Sequence, residues 1–411
     1  MKIIIAISAF FAAAFCLANP AESAFGRLPT VTKREAAAIK EASESGGAKA
    51  LEILKEASAE KWAGGAIWFN LGNLQMSEGD AASAAESYRK ASELTPSFFL
   101  AHKNLAFALE KLGKREESIA QMKNALALSG GSDTDILSRF VSLRAAERDF
   151  SAALNFCNQY LLYKPDDKRM VFAKAAFLFE LGSFEQCEKI CSDILASDPS
   201  DRAALRLLGK SRARRGETLS AVAPFEMLEK IGGATDGDRA FCADLFFCLK
   251  LYSEAAKRYV LAGKASRAEN AALAALYSGD LDSALKLADT LPPPSNLKVK
   301  GLALAESGNA RAIEILKKYL AEKPADSFAA LRLGRLLLDA GNLDEADVFF
   351  AAAMSDDRYV LQSLYGSLNV AAARGDIRSA LQIARKIEKI KPSKEISEYA
   401  AVLESRASSL E

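Results

Sequence analysis

Ile67–Pro96 reads IWFNLGNLQMSEGDAASAAESYRKASELTP. Small residues, a Gly-Asp pair and a closing proline stand at offsets that return throughout the chain. Counting from Gly65 as the first position of a 34-residue frame, Gly79 and Asp80 hold positions 15 and 16, Ala84 position 20, Tyr88 position 24, Ala91 position 27 and Pro96 position 32. Copies of the frame begin near Val31, Phe99, Thr134, Lys168, Arg202, Asp236, Ala265, Pro293, Ser327 and Leu361. Position 20 is small in every copy from Gly65 onward: Ala84, Ser118, Ala153, Cys187, Ala221, Ala255, Ala284, Ala312, Ala346 and Ala380. Glycine falls five residues earlier in most copies, as Gly79, Gly113, Gly182, Gly216, Gly279, Gly341 and Gly375. Pro96, Pro165, Pro199, Pro324 and Pro392 close theirs.

This spacing predicts a helical hairpin repeated along the chain. Glycine at position 15 supplies the left-handed backbone that ends a first helix. The Asp or Asn after it (Asp80, Asp280, Asn342, Asp376) caps a second helix. Proline at position 32 stops that second helix, since it lacks an N–H and its ring clashes with the preceding turn. Small residues at positions 8, 20 and 27 let two helices approach, and a bulky residue at 24 fills the groove beside them. The pattern resembles the tetratricopeptide repeat family. That resemblance covers nearly everything from Val31 onward. It implies an all-α, right-handed superhelical solenoid of antiparallel helix pairs, about 10–11 repeats long.

The expected organisation is a signal peptide over 1–18, a linker over 19–30, an N-terminal array over 31–233, degenerate repeats over 234–300 and a C-terminal array over 301–411. The copy at Asp236 lacks its glycine and proline, and LPPPSN from Leu291 interrupts the next, so 234–300 is read as a bend between two arms. Ser393–Glu411 is read as a capping helix with a polar side. At the N-terminus, Lys2 precedes an apolar run from Ile3 to Leu17, shorter than the roughly 20 residues a membrane-spanning helix needs. The layout is that of a secretory signal, cleaved after Ala18, of an exported, periplasmic protein of bacterial type. Lipid anchoring at Cys16, which would attach the protein to the outer membrane, and an uncleaved anchor are the rivals.

Lys and Arg number 54 against 53 Asp and Glu, a net charge of +1, which argues against a nucleic-acid partner. No catalytic residue, metal site or cofactor is expected. His102, the single histidine, sits at position 4 of its copy with no Ser or Cys partner prepared nearby. Gly209-Lys210-Ser211 imitates the tail of a phosphate-binding loop, but Ala204 replaces the required earlier glycine. Cys187 and Cys191 fall at packing positions 20 and 24, and Cys157 repeats position 24. All three read as core residues rather than as disulfide or metal partners, and Cys242 and Cys248 read the same way.

In the family, first-helix positions 2, 5, 6, 9, 12 and 13 line a concave groove. Here the resemblance places Asn70, Asn73, Lys103, Asn104, Arg139, Arg169, Arg206, Lys210 and Arg214 on that surface, with Arg332 and Arg335 farther along. The family's five-residue carboxylate clamp maps onto Phe69, Asn73, Asn104, Asp135 and Arg139, with Phe69 and Asp135 replacing its two lysines. Asparagine amides pair with an extended backbone and a row of cations favours carboxylates. The expected function is a non-catalytic cell-envelope scaffold that binds an extended, partly acidic protein segment. The alternative is a structural part of an envelope assembly or polysaccharide-export machine. In that case Phe69, Phe107, Phe172, Phe179 and Phe247 would offer aromatic surface to a glycan.

Overall fold

A computed structural model describes residues 29–263 and 267–408. It contains twenty-three helices and no strand among the described residues. The expected signal peptide lies outside them. The chain divides into two compact units, Met1–Ile190 and Cys191–Glu411.

The first unit is built from successive helix pairs: α1 (Lys33–Ser45) with α2 (Gly47–Ala59), α3 (Gly65–Ser77) with α4 (Ala81–Leu94), α5 (Phe99–Lys111) with α6 (Arg115–Leu128), and α7 (Thr134–Ala146) with α8 (Phe150–Tyr163). Next come α9 (Lys168–Glu180) and α10 (Phe184–Ser197), within which the division falls. A buried carboxylate fastens the start of the first unit. Glu35 Oε2 accepts from the Thr32 N–H at 2.7 Å and Oε1 from the Gly64 N–H at 2.9 Å, completing a capping box while tying α1 to the entrance of α3.

The second unit continues with α11 (Arg202–Arg214), α12 (Thr218–Lys230), α13 (Asp236–Cys248), α14 (Tyr252–Leu261), α15 (Ala268–Tyr277), α16 (Leu281–Ala288), α17 (Ser295–Glu306) and α18 (Arg311–Glu322). It ends in α19 (Ser327–Asp339), α20 (Leu343–Ala353), α21 (Asp357–Arg374), α22 (Ile377–Ile390) and α23 (Lys394–Ser408), the last occupying the expected capping position. Its inward side chains are Ile396, Ala400 and Leu403.

The repeat frame governs the packing. Every position-20 residue from Ala84 to Ala380 is buried. Position 8 faces position 24: a Cβ on Gly209 would lie 2.5 Å from the Phe225 ring, and one on Gly334 2.9 Å from Phe350. Substitution at either would overpack the pair. The helices before Pro96, Pro165, Pro199, Pro324 and Pro392 end at Leu94, Tyr163, Ser197, Glu322 and Ile390, each two residues short of the proline. Helical backbone is disfavoured for the residue preceding a proline, which favours that stop. Asp80, Asp280 and Asp376 accept from backbone N–H groups as the expected N-caps. Asn342 occupies the same position with no side-chain cap bond.

The degenerate copies keep this geometry. Where glycine is missing from position 15, Arg148 (φ 59°) and Lys250 (φ 60°) adopt the left-handed backbone themselves. Packing of the hairpin outweighs their local cost, so α13 and α14 form a regular pair. Across LPPPSN the core runs without a break: Ala288 and Leu291 join Val299 and Leu302 in one apolar cluster that extends to Leu316 and Phe350. Residues 234–300 thus lie wholly inside the second unit.

Candidate functional site

In the first unit the first-helix face centres on two carboxamides. Asn73 Oδ1 on α3 accepts from the Asn104 amide on α5 at 3.0 Å and from the Tyr88 hydroxyl at 2.8 Å. Asn73 Nδ2 and Asn104 Oδ1 then have no partner among the described residues, leaving one donor and one acceptor for an incoming peptide backbone. Asn70 does not join them. It is 2% exposed and its amide donates to the Ala66 carbonyl of its own helix at 2.8 Å. Phe69 is likewise core, its ring 4.8 Å from Phe98 and 5.8 Å from Tyr88.

Half of the expected cations are already neutralised. Lys103 is engaged by Asp133 at 2.8 Å and Asp135 at 2.9 Å, and the hydrogen bond from its ammonium holds the Asp135 carboxyl below its ordinary range. Arg139 pairs with Glu110 and lies over the Phe107 ring, 4.0 Å from its centroid. In the second unit Arg206 bonds Asp238 and the Gly233 carbonyl, and Arg332 pairs with Glu306. These residues fasten one repeat to the next instead of offering charge to a ligand. With Phe69 buried and Asp135 ion-paired, the five-residue clamp is not assembled.

The remaining groove cations differ. The Arg169 side chain is 91% exposed, with only a long 3.9 Å approach to Asp167. Lys210 and Arg214, one turn apart on α11, are exposed and without an ion-pair partner among the described residues, and Arg335 on α19 is in the same situation.

Arg139 and Arg169 border a cleft of about 990 Å³ in the first unit, lined by α6, α7 and α9. Its apolar walls include Ile119 and Met122 from α6, Val141 from α7, and Met170 and Phe177 from α9, with Ser138 and Ser142 between them. That volume is at the upper end of what small ligand pockets offer, about 300–1,000 Å³. Sequence spacing finds the arginines but not the cleft, because position 20 of its repeat (Ser118) is small like the others.

The titratable groups elsewhere belong to packing. Both His102 ring nitrogens are engaged, Nδ1 with Gln121 at 2.8 Å and Nε2 with the Pro96 carbonyl at 3.0 Å. Cys157, Cys187, Cys191 and Cys242 are buried as expected, whereas Cys248 is exposed at the end of α13. Burial pushes the Cys157 and Cys242 thiols up to about 11. No group of His, Cys, Asp and Glu among the described residues is placed to hold a metal ion, and no helix among them is long and apolar enough to cross a membrane.

Regular helix pairs stacked through small residues, with a polar first-helix face, define a repeat-built interaction scaffold. Residues 144–210 and 303–368 match one tetratricopeptide repeat model and residues 72–113 match a second. Residues 72–113, 144–210 and 303–368 thus carry tetratricopeptide repeats, and the same register of helix pairs continues between them. That repeat is a non-catalytic protein-interaction module. No curated protein matches the sequence. Among solved structures, Naa15/Naa10 bound to HypK-THB is similar at 15% identity and a TM-score of 0.48, the match covering 90% of this chain and 65% of that one. A tetratricopeptide repeat protein from Parabacteroides merdae is similar at 17% identity and a TM-score of 0.36, covering 70% of this chain and 98% of that one. The APC/C hetero-tetramer Cut9-Hcn1 is similar at 14% identity and a TM-score of 0.41, covering 86% and 80%.

Proposed function

We propose that the chain holds an extended segment of a partner protein across the first-helix face of its N-terminal unit. Asn73 and Asn104 would pair with the segment's backbone, and an apolar side chain would enter the cleft beside Arg169. The observation that carries this reading is the cleft itself: an apolar floor opening on groove positions, with an exposed arginine at its rim. A carboxylate on the segment would meet Arg169, the rim arginine with the weakest internal pairing. Charge reversal, Arg169→Glu, combined with Asn104→Ala, tests it. Binding of a captured partner should fall at least tenfold with the thermal midpoint unchanged, and undiminished binding would remove the site. In this face Phe69 is buried and Phe107 is covered by Arg139, so the surface favours a peptide over a glycan.

The compartment follows from the N-terminal sequence. Residues 1–18 have the layout of a secretory signal, which supports an exported, periplasmic scaffold of bacterial type. N-terminal sequencing of the mature protein tests this: a start at Asn19 supports export, and a retained Met1 contradicts it.

A further inference from the structure

Five aromatic rings from five helices of the second unit form a continuous row that the repeat frame does not require: Phe247 on α13, Tyr252 on α14, Tyr277 on α15, Phe328 on α19 and Tyr359 on α21. Ring centroids lie 5.3 Å apart for Phe247–Tyr252, 5.1 Å for Tyr252–Tyr277, 6.2 Å for Tyr277–Phe328 and 5.8 Å for Phe328–Tyr359. None of the five is fully buried, and Tyr277 is 37% exposed. Their hydroxyls set them apart from the core tyrosines. Tyr88, Tyr160, Tyr259 and Tyr319 all donate to an Asn or Asp side chain. The hydroxyls of Tyr252, Tyr277 and Tyr359 have no hydrogen-bond partner among the described residues. Three hydroxyl donors along one line are thus accessible to a ligand.

The charge around the row is specific too. Arg332 is neutralised by Glu306, and Arg358, over the Tyr359 ring at 5.5 Å, is neutralised by Asp356. Arg335, two turns beyond Phe328 on the same face of α19, has no such partner among the described residues. The row is therefore an uncharged aromatic strip with one cation to its side. Its rings touch one another at tilts of 43° to 78°, making a ridged row instead of a coplanar platform.

We propose that this strip binds a proline-rich segment of another protein in the polyproline II conformation, with a carboxylate of that segment held by Arg335. Such a segment has no internal hydrogen bonds, so its carbonyls are open to the three tyrosine hydroxyls. Its pyrrolidine rings pack on the exposed surface of aromatic side chains, and its rigidity lowers the ordering cost. The flat faces of a sugar would instead need coplanar rings. An uncharged strip with one cation complements an uncharged segment ending in one carboxylate. This site lies in a different unit from the cleft beside Arg169 and stands or falls separately from it.

The test is fluorescence polarisation of the full chain with dye-labelled decaproline, as the C-terminal free acid and as the amide. Saturable binding is expected. The ring-preserving double variant Tyr252→Phe with Tyr277→Phe should weaken it by about three- to tenfold per hydroxyl. Tyr277→Ala with Phe328→Ala should weaken it more than tenfold. The free acid should bind tighter than the amide, and Arg335→Gln should abolish that difference. Thermal melts of each variant establish that it folds. Absence of saturable binding, binding unmoved by the hydroxyl and ring variants alike, or binding of cellohexaose in place of decaproline would overturn the proposal.

Discussion

Arg206 on α11 donates from Nε to Asp238 Oδ2 at 2.7 Å, while its Nη2 reaches the Gly233 carbonyl, also at 2.7 Å. Asp238 at the same time closes a capping box with Thr235. One arginine at a groove position thus fixes the loop and first turn of the following repeat. Arg206→Ala should therefore destabilise the second unit by about 2 kcal/mol, the scale of a lost charge-assisted hydrogen bond. Lys210→Glu and Arg214→Glu, on the same helix but without partners, should stay within about 0.5 kcal/mol of wild type. Urea unfolding of the three variants separates the two roles.

Lys250 carries φ 60° at the position where other copies place glycine. A side chain in left-handed backbone costs about 1–2 kcal/mol, partly offset by the greater unfolded-state freedom of glycine. Lys250→Gly should stabilise the chain by about 0.5–1 kcal/mol, and Gly216→Ala should destabilise it by a similar amount. Thermal melts with opposite shifts for the two variants are the expected result.

One buried and one half-buried aspartate set the acid limit. Burial raises Asp238, but the Thr235 N–H and the Arg206 guanidinium outweigh it and leave the carboxyl below its usual range. Asp326 behaves alike: burial is outweighed by the Ala329 N–H, the Lys298 ammonium and the Tyr319 hydroxyl. A carboxyl depressed in the folded state stabilises it fully above the unfolded value near ~4, and that stability is lost as pH falls through the folded value. The melting temperature should change little from these groups between about pH 8 and 5, then drop below about pH 4. Arg206→Gln and Lys298→Gln should flatten that drop.

The thiols provide a check on burial. Of the five described cysteines only Cys248 is exposed. A chain expressed without residues 1–18 should release one equivalent from a thiol reagent at pH 8 when native and five after denaturation. Cys248→Ser should abolish the native signal.

The helix pairs were legible because small and bulky residues alternate at a strict period, so Ala84, Ala221 and Ala380 could be assigned to the core before any coordinates. The copy at Asp236 lacks the glycine and proline of the frame, and at its turn Lys250 takes the left-handed backbone in place of glycine. The groove was read less well. Spacing places Lys103, Arg139 and Arg206 on the first-helix face but does not show that each meets a carboxylate from a neighbouring repeat. Asp133 and Asp238 stand 30 and 32 residues beyond their partners, so looking for acids about one repeat away would have flagged both. Asn70 was lost to the core because its amide is satisfied by its own helix.

A photocrosslinking amino acid placed at Ser142 inside the cleft, compared with one at exposed Glu86 on α4, tests the central claim most directly. In extracts of the native cells, the Ser142 probe should give a discrete protein adduct that the Glu86 probe lacks, and Arg169→Glu should remove it. Equal adducts from both positions, or an adduct at Ser142 that survives Arg169→Glu, would contradict binding of a partner segment across this face.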